Sequence, residues 1–245
     1  MGNPVVHFEI NSKMPRELHA FYTKLFGWSI NDDNPMEYGL VDTNGGTGIN
    51  GGIGPAQGPS GVVWYVEVPD VDASLQTIAG LGGTTVMPKT HVMEGVTVGV
   101  FSDPQGNVVG LVEAAEPQPG MDYGPTKGKG APVTHAEVLG TDGAALQSFY
   151  SSAFGWELQT YEDYGMFGPV DGKGVGGGVG KSQGDPVVTF YVEVPDLQAT
   201  LDKAASLGGK TVMEPQTVGT EPATVAIAAF RDPEGNLVGL AKSAS

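Results

Sequence analysis

The sequence of 245 residues contains no cysteine and few basic residues. Without cysteine there can be no disulfide, thiolate zinc site, iron–sulfur cluster or cysteine nucleophile. Twelve Lys and Arg stand against 28 Asp and Glu, which gives a formal net charge of −16. This excess of negative charge argues against binding to nucleic acid or to an anionic membrane surface. We therefore expect a neutral or cationic small molecule as the partner.

Long apolar runs are also missing from the sequence. No stretch approaches the roughly 18 apolar residues that a membrane-spanning helix needs, and the segment MGNPVVHFEI lacks the basic and apolar regions of a secretion signal. We therefore expect a soluble, cytoplasmic protein. Apolar residues make up 40% of the chain and charged residues 16%, which is enough for packed cores and argues against general disorder.

The most informative feature that is present is an internal repeat. It predicts two copies of one domain, residues 1–117 and 132–245. Residues 118–131 between them are rich in Pro, Gly and Lys and predict an exposed linker. The matching segments are VVHFEI (5–10) with VTHAEV (133–138), FYTKLFGW (21–28) with FYSSAFGW (149–156), WYVEVPDV (64–71) with FYVEVPDL (190–197), and FSDPQGNVVGL (101–111) with FRDPEGNLVGL (230–240).

Hydrophobic periodicity predicts the order β-α-β-β-β, twice in each copy. The first helix is predicted from Pro15, with Phe21 and Leu25 on its apolar face and Gly27 at its end. A second helix is predicted over 71–81. The strands of the first copy are predicted at 5–10, 28–30, 38–41, 47–53, 62–68, 84–87, 96–101 and 108–112. The predicted fold class is therefore α+β, with tandem βαβββ units paired into two domains.

Alternation along the strands separates two faces, because successive side chains point in opposite directions. In the first strand, Phe8 and Ile10 should face the helices, whereas His7 and Glu9 should lie on the other face. One interpretation is that this second face is simply the solvated side of an antiparallel sheet. The other is a ligand-binding cleft, since His, Tyr and carboxylates are typical of such clefts. The candidate ligand-binding residues are His7, Glu9, Tyr65, Glu67, His135, Glu137, Tyr191 and Glu193.

These motifs together resemble the vicinal oxygen chelate superfamily, which includes glyoxalases, bleomycin-resistance proteins and extradiol dioxygenases. The resemblance rests on the tandem βαβββ units, the early strand His, the FYxxxFGW segment and the DPxGN turn before a closing strand. The two-domain, Gly-rich, acidic form is similar to actinobacterial proteins of the 27-kDa-antigen type, which are described as glyoxalases or hydroxylases. The resemblance implies that each pair of units curls its sheet into a cup, lined by the face without helices.

The resemblance also implies where a metal would bind, and most of those positions lack a ligand here. His7 and His135 occupy the first ligand position. The second His position falls on Val63 and Thr189. The Glu after the DPxGN turn falls on Gly110 and Gly239, and the Gly-rich strands GINGGIG and GVGGGVG contain no carboxylate.

We therefore expect no cofactor, because a divalent ion needs at least three donors. An alternative divalent site could be built from His7, Glu9 and Glu67, or from His135, Glu137 and Glu193.

Two functions follow from these expectations. The first is metal-free binding of a hydrophobic or cationic small molecule by a monomer that contains an internal pseudo-dimer, or by a homodimer. The second is a lyase, isomerase or hydroxylase-type enzyme, with or without a divalent metal. In that enzyme Glu67 and Glu193 would act as general bases, and Tyr65 and Tyr191 as hydrogen-bond donors. A scaffold with vestigial clefts is a third possibility.

Overall fold

The computed structural model describes residues 2–34, 37–56, 61–113, 130–220 and 223–242. Most of the predicted linker, residues 118–129, lies outside them. The first half contains β1 (Val5–Ser12), α1 (Pro15–Phe26), β2 (Ser29–Asn31), β3 (Gly39–Asp42), β4 (Gly51–Pro55), β5 (Gly61–Val68), α2 (Val71–Gly80), β6 (Thr84–Met93), β7 (Val96–Ser102) and β8 (Val108–Glu113). The second half contains β9 (Val133–Gly140), α3 (Gly143–Phe154), β10 (Gln159–Tyr161), β11 (Tyr164–Phe167), β12 (Gly176–Lys181), β13 (Val187–Glu193), α4 (Leu197–Ser206), β14 (Lys210–Thr220), β15 (Ala223–Arg231) and β16 (Leu237–Lys242).

The predicted order β-α-β-β-β is confirmed and occurs four times, and the fold class is α+β. The strands form two mixed sheets of eight strands each. Within one βαβββ unit the strand order is β2-β3-β4-β1, and in the next it is β5-β8-β7-β6. Within each βαβββ repeat the first and last strands run parallel, as β1 does with β4 and β5 with β8. The other strand pairs within a repeat are antiparallel.

Helix boundaries follow the capping chemistry of the sequence. Helix α1 begins at Pro15 and ends at Gly27, whose left-handed backbone (φ 73°) stops it as predicted. Helices α2 and α4 begin after Asp70 and Asp196, whose carboxylates each accept a hydrogen bond from the third residue beyond them.

One strand is shorter than its sequence pattern predicted. The strand expected over 47–53 begins only at Gly51. The residues before it form a turn, with Gly46 and Gly48 at φ 69° and 78°. Backbone in this left-handed region cannot continue a strand. The alternation of apolar residues in the sequence therefore begins before the hydrogen-bonded strand does.

The described residues fall into two compact units, and each unit takes segments from both halves of the sequence. Unit one contains the described parts of 1–7, 63–124 and 135–188, and unit two contains those of 8–62, 125–134 and 189–245. The predicted domains, 1–117 and 132–245, follow the sequence repeat instead, so these boundaries stay a prediction.

Each unit has an aromatic core built from the FYxxxFGW segment. In unit two, the rings of Tyr22 and Trp28 stack with centroids 5.2 Å apart, and the ring centroids of Phe8 and Phe190 lie 4.7 Å apart. In unit one, the ring of Tyr150 stacks on that of Trp156 at 5.9 Å. Burial of these large side chains supplies much of the hydrophobic stabilisation.

The Tyr of this segment also binds the DPxGN turn through a buried hydrogen bond. Tyr22 Oη donates to Asp232 Oδ2 at 2.9 Å in unit two, and Tyr150 Oη donates to Asp103 Oδ2 at 3.1 Å in unit one. Each Asp also accepts hydrogen bonds from its own turn, for example from the Asn236 side chain to Asp232 at 2.8 Å. In each compact unit the FYxxxFGW segment and the DPxGN turn are therefore joined by a buried hydrogen bond.

None of the four helices in the described part of the chain has the length and apolar character that a membrane crossing requires.

Candidate functional site

The predicted site residues divide between the two compact units. The expected alternation is observed in β1, where Phe8 and Ile10 are fully buried and His7 and Glu9 are partly exposed. Unit two contains Glu9, Tyr191 and Glu193. Unit one contains His7, Tyr65, Glu67, His135 and Glu137.

Two of the predicted tyrosines cover glycines of the neighbouring strand. Tyr65 pairs in register with Gly110, and Tyr191 with Gly239. A Cβ atom at either glycine would overlap the tyrosine ring. Tyr65 is only 7% exposed and packs in an apolar cluster with Val63 and residues of β6, β7 and β8.

Two further tyrosines, which the sequence interpretation missed, do the same on the Gly-rich strands. The ring of Tyr38 lies against Gly52 and Gly54 of β4. In the second copy, the ring of Tyr164 lies against Gly178 and Gly180 of β12. Glycines at alternate positions leave the strand surface without side chains, so an aromatic ring can lie flat on it.

These two tyrosines place their hydroxyl groups on the predicted carboxylates. Tyr164 Oη donates to Glu137 Oε1 at 2.8 Å and lies 3.3 Å from His135 Nε2. We call these three residues the Tyr164 cluster. Tyr38 Oη donates to Glu9 Oε2 at 3.4 Å, and we call this pair the Tyr38 cluster.

Both predicted strand histidines are neutral at neutral pH. Burial lowers the pKa of His7 to about 4 and that of His135 to about 4. The His7 ring packs edge-on against Tyr65, with centroids 5.7 Å apart. His19 and His91 have no counterpart in the other copy of the sequence repeat, which predicts surface positions for both. The prediction is wrong for His19, which is buried and has its Nε2 atom 3.1 Å from the carbonyl oxygen of Ile53, and it is confirmed for His91, which is exposed.

The two predicted general bases have different surroundings. Glu67 forms an ion pair with Lys173, whose Nζ lies 2.6 and 2.7 Å from the two carboxylate oxygens. Glu193 lines a cavity of about 650 Å³ in unit two. The other lining residues are Leu25, Phe26, Gly130, Ala131, Pro132, Val194, Pro195, Asp196, Ala199, Thr200, Lys203 and Lys242.

The donor set does not fit the metal that the resemblance would imply. The positions expected to carry a Glu, Gly110 and Gly239, lie beneath tyrosine rings. At the second His position, Val63 has no donor atom, and the Thr189 hydroxyl donates to the carbonyl oxygen of Leu237 at 2.8 Å. Among the described residues, no three His, Asp or Glu side chains are grouped so that they could hold an ion.

Comparison with known proteins identifies the family. Residues 133–240 match the family described as "Glyoxalase/Bleomycin resistance protein/Dioxygenase superfamily", and residues 7–112 match the "Glyoxalase-like domain". The chain therefore belongs to the glyoxalase/bleomycin resistance/dioxygenase superfamily and carries two glyoxalase domains. The expectation drawn from the sequence motifs is confirmed.

Among curated proteins, the chain is 29% identical to the "Putative glyoxylase CFP32" of Mycobacterium tuberculosis, over 91% of this chain and 88% of that one. Among solved structures, it is similar to the Mn(II)-bound glyoxalase from Novosphingobium aromaticivorans, with a TM-score of 0.63, 10% identity and coverage of 98% and 81% of the two chains. It also resembles the 2,3-dioxygenase LapB from Pseudomonas sp. KL28, with a TM-score of 0.65, 12% identity and coverage of 100% and 92%. At these identities the two structures show the common fold alone.

A signal for the missed tyrosines is present in the sequence. EYGL (37–40) and DYGM (163–166) carry a Tyr-Gly pair at equivalent positions of the two copies. Their role becomes visible only when β3 pairs with β4, and β11 with β12, because each Tyr then faces a strand of glycines.

Proposed function

We propose that the chain binds a hydrophobic or cationic small molecule without a metal, at its tyrosine and carboxylate side chains. The observation that carries this proposal is the covering of glycines by tyrosine rings. Positions that would carry a metal-binding carboxylate are occupied by aromatic surface instead. Tyrosine faces attract both apolar groups and cations, and nearby carboxylates strengthen the preference for positive charge.

The Tyr164 cluster is the best-supported contact for such a ligand. Glu137 and His135 are held by one phenol, so the side chains that would meet the ligand are already oriented. A preorganised site loses less conformational entropy on binding. The neutral state of His135 adds no positive charge that would repel a cation.

The metal-free part of the proposal is tested by elemental analysis. Protein purified without chelator should contain less than one tenth of an equivalent of zinc, nickel, iron or manganese. A stoichiometric metal that is lost in the Glu67→Gln/Glu193→Gln double variant would overturn the metal-free proposal and support the alternative divalent site.

Ligand binding is tested by thermal shift against dicarbonyls, catechols and aromatic cations. A ligand that binds the native state raises the unfolding midpoint. We expect a shift with aromatic cations that is at least halved in Glu137→Gln and Tyr164→Phe. Tyr161→Phe is the matched control, because Tyr161 is 51% exposed and lies in β10 outside both clusters. An equal shift in all variants would contradict the proposed site.

The enzyme is the second candidate function, and one observation favours Glu193 over Glu67 as its base. Glu67 is bound by the Lys173 ammonium group, which occupies both of its carboxylate oxygens. Glu193 instead faces a cavity. If the chain is an enzyme, we expect turnover to fall at least 100-fold in Glu193→Gln and to survive in Glu67→Gln, as measured by initial rates with the ligands found above.

A further inference from the structure

A short turn occurs at equivalent places in the two copies, with one important difference. The turn Gly46-Thr47-Gly48 corresponds to Gly172-Lys173-Gly174. Its glycines have φ angles of 69° and 78° in the first copy and 75° and 72° in the second. The backbone is therefore the same, but an uncharged hydroxyl replaces an ammonium group.

Each turn is also attached to the same part of its unit. In unit two, Ile49 N donates to the carbonyl oxygen of Val133 at 3.0 Å. In unit one, Val175 N donates to the carbonyl oxygen of Val5 at 3.0 Å. Thr47 and Lys173 thus start from equivalent backbone positions.

The acidic residues opposite these turns are equivalent as well. Glu67 N donates to the carbonyl oxygen of Pro4 at 2.9 Å, and Glu193 N donates to that of Pro132 at 2.9 Å. In unit one the turn lysine, Lys173, binds both carboxylate oxygens of Glu67. In unit two the equivalent Thr47 cannot form an ion pair, and within the described chain no side chain pairs with the Glu193 carboxylate.

The cavity next to Glu193 provides room for a ligand that could replace the missing lysine. Its volume is about 650 Å³, and its wall includes the apolar side chains of Leu25 and Phe26. The other charged groups of the lining have partners or are exposed. Lys203 Nζ donates to the carbonyl oxygen of Leu25 at 3.2 Å, and Asp196 caps α4 by accepting from Ala199 N at 2.9 Å. Lys242 is exposed.

We propose that this cavity binds a small molecule with a primary amine, and that Glu193 is its counter-ion. The pair Lys173–Glu67 shows, within the same protein, that a carboxylate at this position binds an ammonium group through both of its oxygens. A charge-assisted hydrogen bond to a carboxylate is about twice as strong as a neutral one, and the apolar wall accepts an alkyl chain. The inference rests on the proposed function, since it names one cationic ligand class, but it assigns that class to a separate set of residues.

The test uses three probes of the same length on the full chain: hexylamine, hexanoate and 1-hexanol. Binding is followed by amide chemical shifts in NMR titrations. A ligand of this size should bind with a Kd of about 1 mM. We expect hexylamine to shift amides around Glu193 and α4, and hexanoate and hexanol to bind at least tenfold more weakly.

Two variants should remove hexylamine binding. Glu193→Gln should weaken it at least tenfold because the counter-ion is lost. Thr47→Lys should also weaken it at least tenfold, because the new lysine would form the ion pair found in unit one. Glu214→Gln and Thr217→Lys are matched controls, since both residues are exposed on β14, and they should leave the Kd unchanged.

Hexanoate binding as strongly as hexylamine, or a Thr47→Lys variant that binds hexylamine like the wild type, would overturn the inference. Such a result would not contradict the proposed function if the thermal shift produced by aromatic cations still depends on Glu137 and Tyr164. In the reverse outcome, hexylamine binds through Glu193, and the Tyr164 cluster variants do not change the thermal shift with aromatic cations. That outcome would support the cavity as an amine site and refute the Tyr164 cluster as a binding site.

Discussion

At the scale of single residues, Tyr22 and Tyr150 join two motifs that are far apart in the sequence. Burial raises the pKa of each phenol and also raises the pKa of Asp232, so these groups depend on one another for hydrogen bonds. We expect Tyr22→Phe and Tyr150→Phe each to lower the free energy of unfolding by about 1–3 kcal/mol, because a buried carboxylate loses a donor. Urea denaturation measures this, and Tyr161→Phe should change it by less than about 0.5 kcal/mol.

The strand histidines His7 and His135, whose side chains are partly buried, predict a pH dependence of stability. A His in the unfolded chain has a pKa of about 6.5, whereas burial lowers the pKa of His7 and His135 to about 4 in the folded state. Below pH 6.5 the unfolded chain therefore binds more protons, and stability falls as the pH drops towards 4. Each His contributes up to about 3 kcal/mol to this loss.

The measurement is the urea midpoint between pH 7.5 and 4.5 for the wild type and for a His7→Gln/His135→Gln variant. Carboxylates titrate in both proteins, so the difference between the two curves isolates the histidines. The double variant should lose clearly less stability on acidification. Parallel curves would show that the two imidazoles are protonated in the folded protein as readily as in the unfolded one.

At the scale of secondary structure, the Gly-rich strands β4 and β12 support the tyrosines. Gly52→Ala and Gly178→Ala would each place a methyl group in the space of a tyrosine ring. We expect a loss of about 1–3 kcal/mol in the free energy of unfolding and a changed near-ultraviolet circular dichroism signal. Gly61→Ala is the control in β5, where a Cβ meets no atom of the described residues within 4 Å. If Gly61→Ala costs as much as the other two, strand propensity and not the ring contact explains the effect.

Much of the secondary structure was predictable from the sequence. Alternation in β1 correctly buried Phe8 and Ile10, and capping chemistry correctly ended α1 at Gly27. The contacts of Tyr38 and Tyr164 were not predictable in the same way, because they depend on which strands pair. Nor does strand alternation reveal that Lys173, in a turn more than 100 residues away, binds Glu67.

At the scale of the whole molecule, the repeat and the family resemblance of its motifs correctly identified two glyoxalase domains, but they did not reveal the composition of the compact units. A tandem repeat suggests that each copy folds by itself. In the structure, Tyr22 binds Asp232 and Phe8 packs against Phe190, so residues 8–62 complete a unit with the end of the chain. The reason is chemical: the two copies carry the same motifs, and either copy can supply the partner that a βαβββ unit needs.

This composition predicts the behaviour of fragments. Residues 1–117 alone lack the partner of Tyr22, so we expect them either to unfold without cooperativity or to form a dimer in which a second copy supplies Asp103 in place of Asp232. Mixing 1–117 with 118–245 should restore cooperative unfolding. Sedimentation and circular dichroism measure both outcomes. A 1–117 fragment that is folded and monomeric would instead support contiguous domains, as the sequence repeat suggests.

The interleaving of the two units also orders events during synthesis on the ribosome. Among the described residues, unit one contains none beyond residue 188, whereas unit two extends to residue 242. Residues 8–62 therefore emerge before the segment that completes unit two in the structure, because residues 63–188 are synthesised between them. We expect their apolar side chains to be accessible to chaperones during that interval, and we expect a slow final step of folding because the contacts that complete the unit join residues far apart in the sequence.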